Sequence, residues 1–485
     1  MEITGWLATS VAIAVIVIDL IIRIVAVIFV PRNRRPQTAT AWLLAIFFIP
    51  YIGAIAFLLF GSRRLPKRRR AKQEEINQYI LETTEGFDDI SGDHPWLDPI
   101  VALNRNLGAM PLVGGNTARL CGNAAETIAE MTEAIDTAKK YVHAEFYILS
   151  FDSTTVHFFD ALEAAVKRGV TVRVLLDHIA GLRTVGFGRT KRKLTRIGVD
   201  WQLMLPIQPL RGKWQRPDLR NHRKILVIDG TLAFTGSQNI IDPSYRKKDN
   251  IRRGLQWKDL MVRFEGPIVA GINALFVTDW YTETDELILR EISESPRERK
   301  TNPVDAQVVP SGPGFDGENN LRLFNSLLYL ARERIIITSP YFVPDESMLY
   351  AITTAAQSGI DVQLFVSEIG DQPLVYHAQR SYYEVLLKAG VRIWLYRSPT
   401  VLHSKFFTID DEVAVIGSSN MDMRSFSLNL EISVMVHGES FVNDLRTVEQ
   451  EYRDNSRELM LDEWMERPFP SRVLDNIARL TAAVQ

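Results

Sequence analysis

A chain of 485 residues exceeds one ordinary domain, and its 46% apolar and 24% charged make-up excludes a disordered protein. Its single cysteine, Cys121, excludes an intramolecular disulfide and fits a reducing compartment; no Cys/His spacing for zinc is present, so neither metal nor cofactor is expected. The net charge of −2 is uneven: residues 1–72 hold 11 Lys/Arg against Glu2 and Asp19, leaving 45 basic and 56 acidic residues in the remainder. A basic, apolar head on an acidic body points to membrane contact by the head and argues against nucleic acid as a partner.

The first predicted elements are two apolar runs. "WLATSVAIAVIVIDLIIRIVAVIFV" (Trp6–Val30) is long enough to span a bilayer as a helix, and its Asp19 and Arg23 stand four apart on one face, able to pair. "TATAWLLAIFFIPYIGAIAFLLF" (Thr38–Phe60) is a second candidate, bent by Pro50 and Gly53. Residues 1–62 are therefore expected to form a two-helix transmembrane hairpin, with spans at about 5–30 and 38–60. The connector Pro31–Gln37 carries Arg32, Arg34 and Arg35, and "SRRLPKRRRAK" after the second run carries seven basic residues. The heavier side is expected to be cytoplasmic, giving a multi-pass membrane protein whose remaining chain faces the cytoplasm. Residues 63–104 read as a basic juxtamembrane segment and linker that can attract anionic headgroups.

Beyond residue 105, β-branched runs alternate with amphipathic helical patterns. "YVHAEFYIL" and "VTVRVLLD" read as buried strands joined by the crossover helix "HFFDALEAAVKRG", an α/β arrangement with a largely parallel sheet. The pattern then recurs. "RGVTVRVLLD" from Arg168 answers "SGIDVQLFVS" from Ser358, and "RIGVDWQLM" from Arg196 answers "KAGVRIWLY" from Lys388. A longer loop in the first copy, "LPIQPLRGKWQRPDLRN" against "RSPTVL", accounts for the change in offset. Two homologous α/β halves are expected, 105–309 and 310–485.

Each half carries H-x-K, four residues, D, six residues, G-S-x-N: "NHRKILVIDGTLAFTGSQN" (Asn221–Asn239) and "LHSKFFTIDDEVAVIGSSN" (Leu402–Asn420). On a strand, residues i and i+2 share a face, so His222 projects with Lys224 and His403 with Lys405. Histidine serves as nucleophile or proton carrier, lysine neutralises phosphate, and serine and asparagine donate hydrogen bonds to its oxygens. One copy is half a site. Two copies meeting about a pseudo-twofold axis set two imidazoles on opposite sides of one phosphorus, without a metal. The catalytic set is thus His222, Lys224, Asp229, His403, Lys405 and Asp410, with Ser237, Asn239, Ser418 and Asn420 on the phosphate. Asp229 and Asp410 belong to the motif, but their odd offset faces them away from the histidines, so they are expected to hold the turn. Asp259 in "LQWKDLMV" and Glu431 in "LNLEISVMV" follow the two motifs on similar strands, and each can accept an imidazole N–H and fix its tautomer.

The paired motif resembles the phospholipase D superfamily, and the chain is most similar to its bacterial cardiolipin synthases. The likeness runs from the apolar head through "EFYIL", "DPSYR", "QWKDLMVRFEGP", "SGPGF", "SPYFVPD" and "NMDMRSFSLNLEI". It implies phospholipase D-like halves and transfer of a phosphatidyl group between two phosphatidylglycerols through a phosphohistidine, releasing glycerol and yielding cardiolipin in the bilayer. His222 is then the nucleophile and His403 the acid and later the base, although the near symmetry lets these roles exchange. The alternatives are the same site using water, a membrane-anchored phospholipase D, and a nuclease, which the acidic body disfavours.

Other features are read more plainly. The loop holding Trp214 among Arg211, Lys213, Arg216 and Arg220 can rest on the membrane interface or be solvated. "YRKKDNIRRG" reads as a solvated basic loop, "SGPGF" as punctuation before the second half, and Trp257 and Trp280 as core. Tyr341 and Phe342 are placed beside the site, as lining for a channel.

Overall fold

A computed structural model describes residues 2–32, 34–62, 64–85, 94–208, 210, 215–288, 303–315 and 317–481. The chain divides into two compact units, 1–64 and 65–485.

In the first unit, Glu2–Phe29 is one 28-residue helix, and its Ser10–Phe29 stretch has a mean hydropathy of 3.0 and is 6% buried. It is long and apolar enough to cross a bilayer. Asp19 and Arg23 on it form an ion pair at 2.9 Å. The second apolar run differs from the expected span. It breaks at Ile49, which leaves helical geometry (φ −135°, ψ 73°), into Pro36–Phe48 and Pro50–Phe60. Proline lacks the N–H that would continue the first of these helices and instead begins the second. At 13 and 11 residues, neither reaches the roughly 20 needed to cross. The expected pair of full spans is therefore replaced by one spanning-length helix and two short ones.

The second unit is a mixed α/β body built on a sixteen-stranded sheet. Two strands form its spine, Leu112–Cys121 and Val304–Ser311, paired antiparallel. Outward from the first run Met261–Glu265, Leu232–Gly236, Lys224–Ile228, Tyr141–Phe146, Thr171–Asp177 and Asp200–Met204. Outward from the second run Asn429–His437, Val413–Gly417, Phe406–Ile409, Arg334–Thr338, Asp361–Ser367 and Arg392–Tyr396, in the same order of counterparts. The three outermost strands of the first set are mutually parallel, as are their three counterparts in the second, beyond which Ser456–Leu459 pairs antiparallel with Arg392–Tyr396. The largely parallel sheet expected is thus mixed, because each H-x-K motif opens an antiparallel hairpin.

Those hairpins explain the motif aspartates. Asp229 and Asp410 take φ of 52° and 48° at the turn, a left-handed conformation that aspartate tolerates. Asp229 accepts the backbone N–H groups of Lys139, Lys140 and Tyr141 at 2.7–2.8 Å. Asp410 accepts those of Arg332, Glu333 and Arg334 at 2.8–3.0 Å. Each carboxylate ties its hairpin to the start of the neighbouring strand, at the far end from the histidine. Grouped with the catalytic residues by motif alone, both are structural by position.

The glycine of each G-S pair permits a close strand approach. A Cβ on Gly236 would stand 2.4 Å from the Leu260 carbonyl oxygen, and one on Gly417 would stand 2.1 Å from that of Ile432. Trp280 is fully buried on the helix Ile268–Thr284, and Trp257 is also buried, as expected of core residues. Phe342 is fully buried too, so it belongs to the core and lines no channel. The expected juxtamembrane linker is largely folded onto the body. Lys67–Thr83 is a helix that buries Ile76 and Ile80, and its Arg69 grips Glu283 at 2.7 and 2.8 Å.

Replacing Asp229 or Asp410 by alanine leaves three backbone N–H groups without their acceptor and puts a Cβ residue with no polar side chain at positive φ. Each substitution should lower stability by about 3 kcal/mol. A thermal melt measures the loss, and catalytic activity per folded molecule should survive it.

Candidate functional site

His222 does not lie within its hairpin strand, which begins at Lys224. It follows the short strand Arg220–Asn221, which pairs parallel with Asn429–Leu430 of the second half. The His222 N–H donates to the Leu430 carbonyl at 2.9 Å. The second half repeats the device. Thr400–Leu402 pairs parallel with Gln256–Lys258, and the His403 N–H donates to the Lys258 carbonyl at 2.8 Å. Each histidine is thus hooked to the residue just before the carboxylate of the opposite half.

The side chains complete the crossing. Nδ1 of His222 lies 3.0 Å from both Glu431 carboxylate oxygens, and Nδ1 of His403 lies 2.6 Å from Asp259 Oδ1. The two carboxylates expected to fix the imidazoles do meet them, each across the boundary between the halves. Both are buried. Asp259 accepts the Ser237 hydroxyl at 2.7 Å. Glu431 accepts the Ser418 hydroxyl, the Ser425 hydroxyl at 3.0 Å and the Asn429 amide at 3.2 Å. The hydroxyl protons of Ser237 and Ser418 are therefore engaged on the carboxylates, whereas the sequence placed them on phosphate. Their position one residue beyond the close-approach glycine sets them against the carboxylate strand.

Lys224 and Lys405 are buried, and each Nζ donates back to the carbonyl of its own histidine, at 2.5 and 2.6 Å. Burial, and then the charge of Lys405, pulls the Lys224 ammonium down to about 7. Burial brings Lys405 to about 8, with Asp259 and Glu431 holding it up. Burial also pulls His222 down to about 4, with Lys224 and Lys405 both acting against its protonation. His403 is likewise lowered, by burial and then by Lys405 and Lys224. Each imidazole therefore feels the lysines of both motifs. Burial alone would raise Asp259 and Glu431, but the paired ring, the neighbouring lysine and the serine hydroxyl bring Asp259 to about 2 and lower Glu431. The resting site is thus two ionised carboxylates, each accepting Nδ1–H from a neutral imidazole, with Nε2 left as the reactive nitrogen.

Asn239 is anchored through Oδ1, which accepts the Ile148 N–H at 3.1 Å, and its amide donates to the Tyr245 hydroxyl at 2.8 Å. Asn420 is buried, and its Oδ1 has no hydrogen-bond partner among the described residues. Tyr147 and Tyr245 were not singled out by the sequence. The Tyr147 ring meets His222 edge-on, with centroids 4.9 Å apart, and lies 5.5 Å from Lys224 Nζ. It sits in the "EFYIL" string ahead of the motif; Asn429, likewise not singled out, precedes Glu431 by two on one strand, and shared-face spacing is the signal that finds Asn429. Tyr341 donates to Asp371 at 2.9 Å. The "YRKKDNIRRG" loop carries a short helix, Lys248–Arg253, whose Arg252 pairs with Asp249 and is largely exposed. Trp214, Arg211 and Lys213 lie outside the described residues. A cluster of potential metal ligands, His94, Glu412 and His437, lies at the other end of the Phe406–Ile409 strand from Lys405 and takes no part in the site.

A family profile described as "Cardiolipin synthase, PLD-like domain" matches residues 131–265 and 325–452, and one described as "Phospholipase_D-nuclease N-terminal" matches 20–62. The chain is 34% identical over 463 residues to cardiolipin synthase A of Proteus mirabilis (strain HI4320), covering 92% of each. It is 33% identical over 457 residues to cardiolipin synthase A of Serratia proteamaculans (strain 568), again covering 92% of each. Among solved structures, phosphatidylserine synthase from Haemophilus influenzae Rd KW20 shares the fold, with a TM-score of 0.59 over 79% of this chain and 99% of that one, at 16% identity.

The lowered lysines make the site costly to stability in a pH-dependent way. Unfolded Lys224 binds its proton near 10.5, and folded Lys224 binds it near 7. The destabilisation is therefore absent above 10.5, grows as pH falls, and is complete below about 7. Lys224→Met should raise the melting temperature relative to the parent by more at pH 7 than at pH 9.5, as paired melts at the two pH values would record.

Proposed function

The chain belongs to the phospholipase D-type cardiolipin synthase family, and from that premise we propose that its two halves act about a pseudo-twofold axis on a single phosphate. It is a phospholipid phosphatidyltransferase that makes cardiolipin. The observation that carries the shared-site reading is the crossed pairing. Neither half holds both a histidine and its carboxylate, so neither is complete alone.

Phosphatidylglycerol serves as both donor and acceptor. Its phosphodiester sits between the motifs, where Lys224, Lys405, Asn239 and Asn420 meet its oxygens. The anion restores full charge to both lysines and raises the basicity of the imidazole that acts as acid. Nε2 of His222 attacks phosphorus as the bond to the glycerol oxygen breaks, and His403 delivers a proton to that oxygen, releasing glycerol. The product is a phosphatidyl group on His222. The terminal hydroxyl of a second phosphatidylglycerol then attacks phosphorus, His403 takes its proton, and the bond to His222 breaks to leave cardiolipin. Glu431 and Asp259 keep each ring in the tautomer that exposes Nε2 and stabilise the imidazolium. Ser237 and Ser418 position those carboxylates.

The enzyme acts at the bacterial plasma membrane, with the catalytic unit on the cytoplasmic side, where basic residues flanking the apolar head are retained. Confinement to the bilayer gives the lipid acceptor a high local concentration against water.

Purified protein in phosphatidylglycerol vesicles should yield cardiolipin and glycerol in equal amounts. Phosphatidic acid and glycerol without cardiolipin would instead mean that water is the acceptor. His222→Ala and His403→Ala should each lower turnover on the order of 10⁴-fold or more. Denaturant quenching during turnover followed by peptide mass spectrometry should find the phosphatidyl group on His222; finding it on His403 would exchange the two roles.

Glu431→Gln and Asp259→Asn remove the ionised acceptor while keeping the side-chain shape. Each should reduce kcat by about 10²- to 10⁴-fold with a smaller change in KM. An unchanged kcat in either variant would remove the carboxylates from the mechanism.

A further inference from the structure

We propose that residues 36–60 form a re-entrant helical hairpin that enters and leaves the bilayer at the cytoplasmic face, so that the chain crosses the membrane once. The inference rests on the reading that Ser10–Phe29 crosses. It concerns what the second apolar run then does, and it replaces the second crossing that run length alone suggests.

The geometry of the first unit carries it. One guanidinium ties the two ends of the segment together. Arg34 Nη1 donates to the Val30 carbonyl at 2.7 Å, while Nη2 and Nε donate to the Gly61 carbonyl at 3.1 and 3.3 Å. Val30 closes the spanning helix and Gly61 closes Pro50–Phe60, so the segment ends at the level where it began. Between those ends the two short helices lie antiparallel. A Cβ on Gly53 would meet the Ala45 carbonyl at 2.7 Å and the Ile46 Cα at 2.8 Å. The Trp42 and Phe57 rings pack edge to face at 5.5 Å. Both contacts pair residues equidistant from the break at Ile49–Pro50.

The hairpin tip lies partway along the spanning helix. The Tyr51 hydroxyl donates to the Val15 carbonyl at 3.4 Å. Fifteen residues separate Val15 from Val30, about 22 Å of helix. The hydrocarbon core is about 30 Å thick, so the tip enters deeply without emerging. Phe48 and Ile52 on it are 81% and 69% exposed within the unit, as suits side chains surrounded by acyl chains. Part of the turn's backbone is satisfied within the hairpin. The Ile49 N–H bonds to the Ala45 carbonyl, the Ile49 carbonyl accepts from Gly53, and Pro50 has no N–H.

Two independent features agree. The Asp19–Arg23 pair lies between Val15 and Val30, and Arg23 stands 5.5 Å over the Phe47 ring, so the hairpin covers ionisable groups at that depth. Charge supplies the other. Two full crossings would put Arg32, Arg34 and Arg35 on one side and the seven basic residues of 63–72 on the other. A re-entrant hairpin collects all ten on one side, facing residues 1–9, which contain no Lys or Arg. That distribution satisfies the preference for cytoplasmic basic residues without exception.

The test is sided labelling of the full-length protein in bacterial cells. In a Cys121→Ala background, single cysteines are introduced as Thr4→Cys, Gln37→Cys and Ser62→Cys, each checked for cardiolipin synthesis. Intact spheroplasts and inverted vesicles are then exposed to a membrane-impermeant maleimide. Thr4→Cys should label only in spheroplasts, and Gln37→Cys and Ser62→Cys only in inverted vesicles. Labelling of Gln37→Cys in spheroplasts with Ser62→Cys in inverted vesicles would overturn the hairpin in favour of two crossings. If all three label only in inverted vesicles, the first helix does not cross, and the premise fails instead.

Discussion

The proposed chemistry depends on one physical arrangement, the exchange of carboxylates between the two motif-bearing parts of the chain. His222 is fixed by a backbone bond to Leu430 and a side-chain bond to Glu431; His403 is fixed by the same pair of bonds to Lys258 and Asp259. An imidazole held at its backbone and at Nδ1 has little freedom left, and its Nε2 points where the protein sets it. Because the anchors come from across the crossing, closure of that contact and alignment of the two imidazoles are one event. The spine strands Leu112–Cys121 and Val304–Ser311 make that closure part of a continuous sheet.

The electrostatics follow from the same burial. Two lysines, two carboxylates and two imidazoles lie within a site from which solvent is largely excluded. Burial pulls Lys405 to about 8, and burial followed by repulsion from Lys405 pulls Lys224 to about 7, a state that disfavours their positive charge. An anionic phosphodiester between them relieves the repulsion it meets, so part of the attraction for substrate is stored as destabilisation of the empty pocket. Burial first, and then the same lysines, hold the histidines neutral. The proposed mechanism needs one of them neutral to attack, and an arriving negative charge would make protonation of the other easier.

Much of this was legible in the sequence because the motif is written twice. The repeat marked two equivalent motif hairpins, and the odd offset turned Asp229 and Asp410 away from the histidines; each histidine, however, precedes its hairpin strand rather than sharing it with the lysine. The crossing was not legible. Asp259 follows the first motif and Glu431 the second, and nothing in a linear chain says that parallel pairing of Arg220–Asn221 with Asn429–Leu430 will exchange them. The serines were misplaced for a related reason. A hydroxyl suits phosphate and carboxylate alike, and only the approach of strands at Gly236 and Gly417 decides between them. The segment after residue 64 read as a basic juxtamembrane linker able to attract headgroups, yet its Ile76–Ile80 face packs on the body while Arg69 finds Glu283.

The second apolar run shows the limit of reading span from length. Its 23 residues, Thr38–Phe60, suffice for a straight helix, but a helix needs an unbroken ladder of N–H donors as well as apolar side chains. Pro50 removes one donor, and Gly53 three residues later removes the Cβ that would keep two helices apart. Proline alone would give a kinked span; proline with a closely packed glycine permits complete reversal, with Ala45 and Ile46 against Gly53. The arginine that stitches Val30 to Gly61 then has a physical reason to sit in the connector. At the headgroup level it can satisfy two helix C-termini together, where unpaired carbonyls carry partial negative charge. In a hairpin of two full spans those carbonyls would lie on opposite faces of the bilayer, beyond the reach of one side chain.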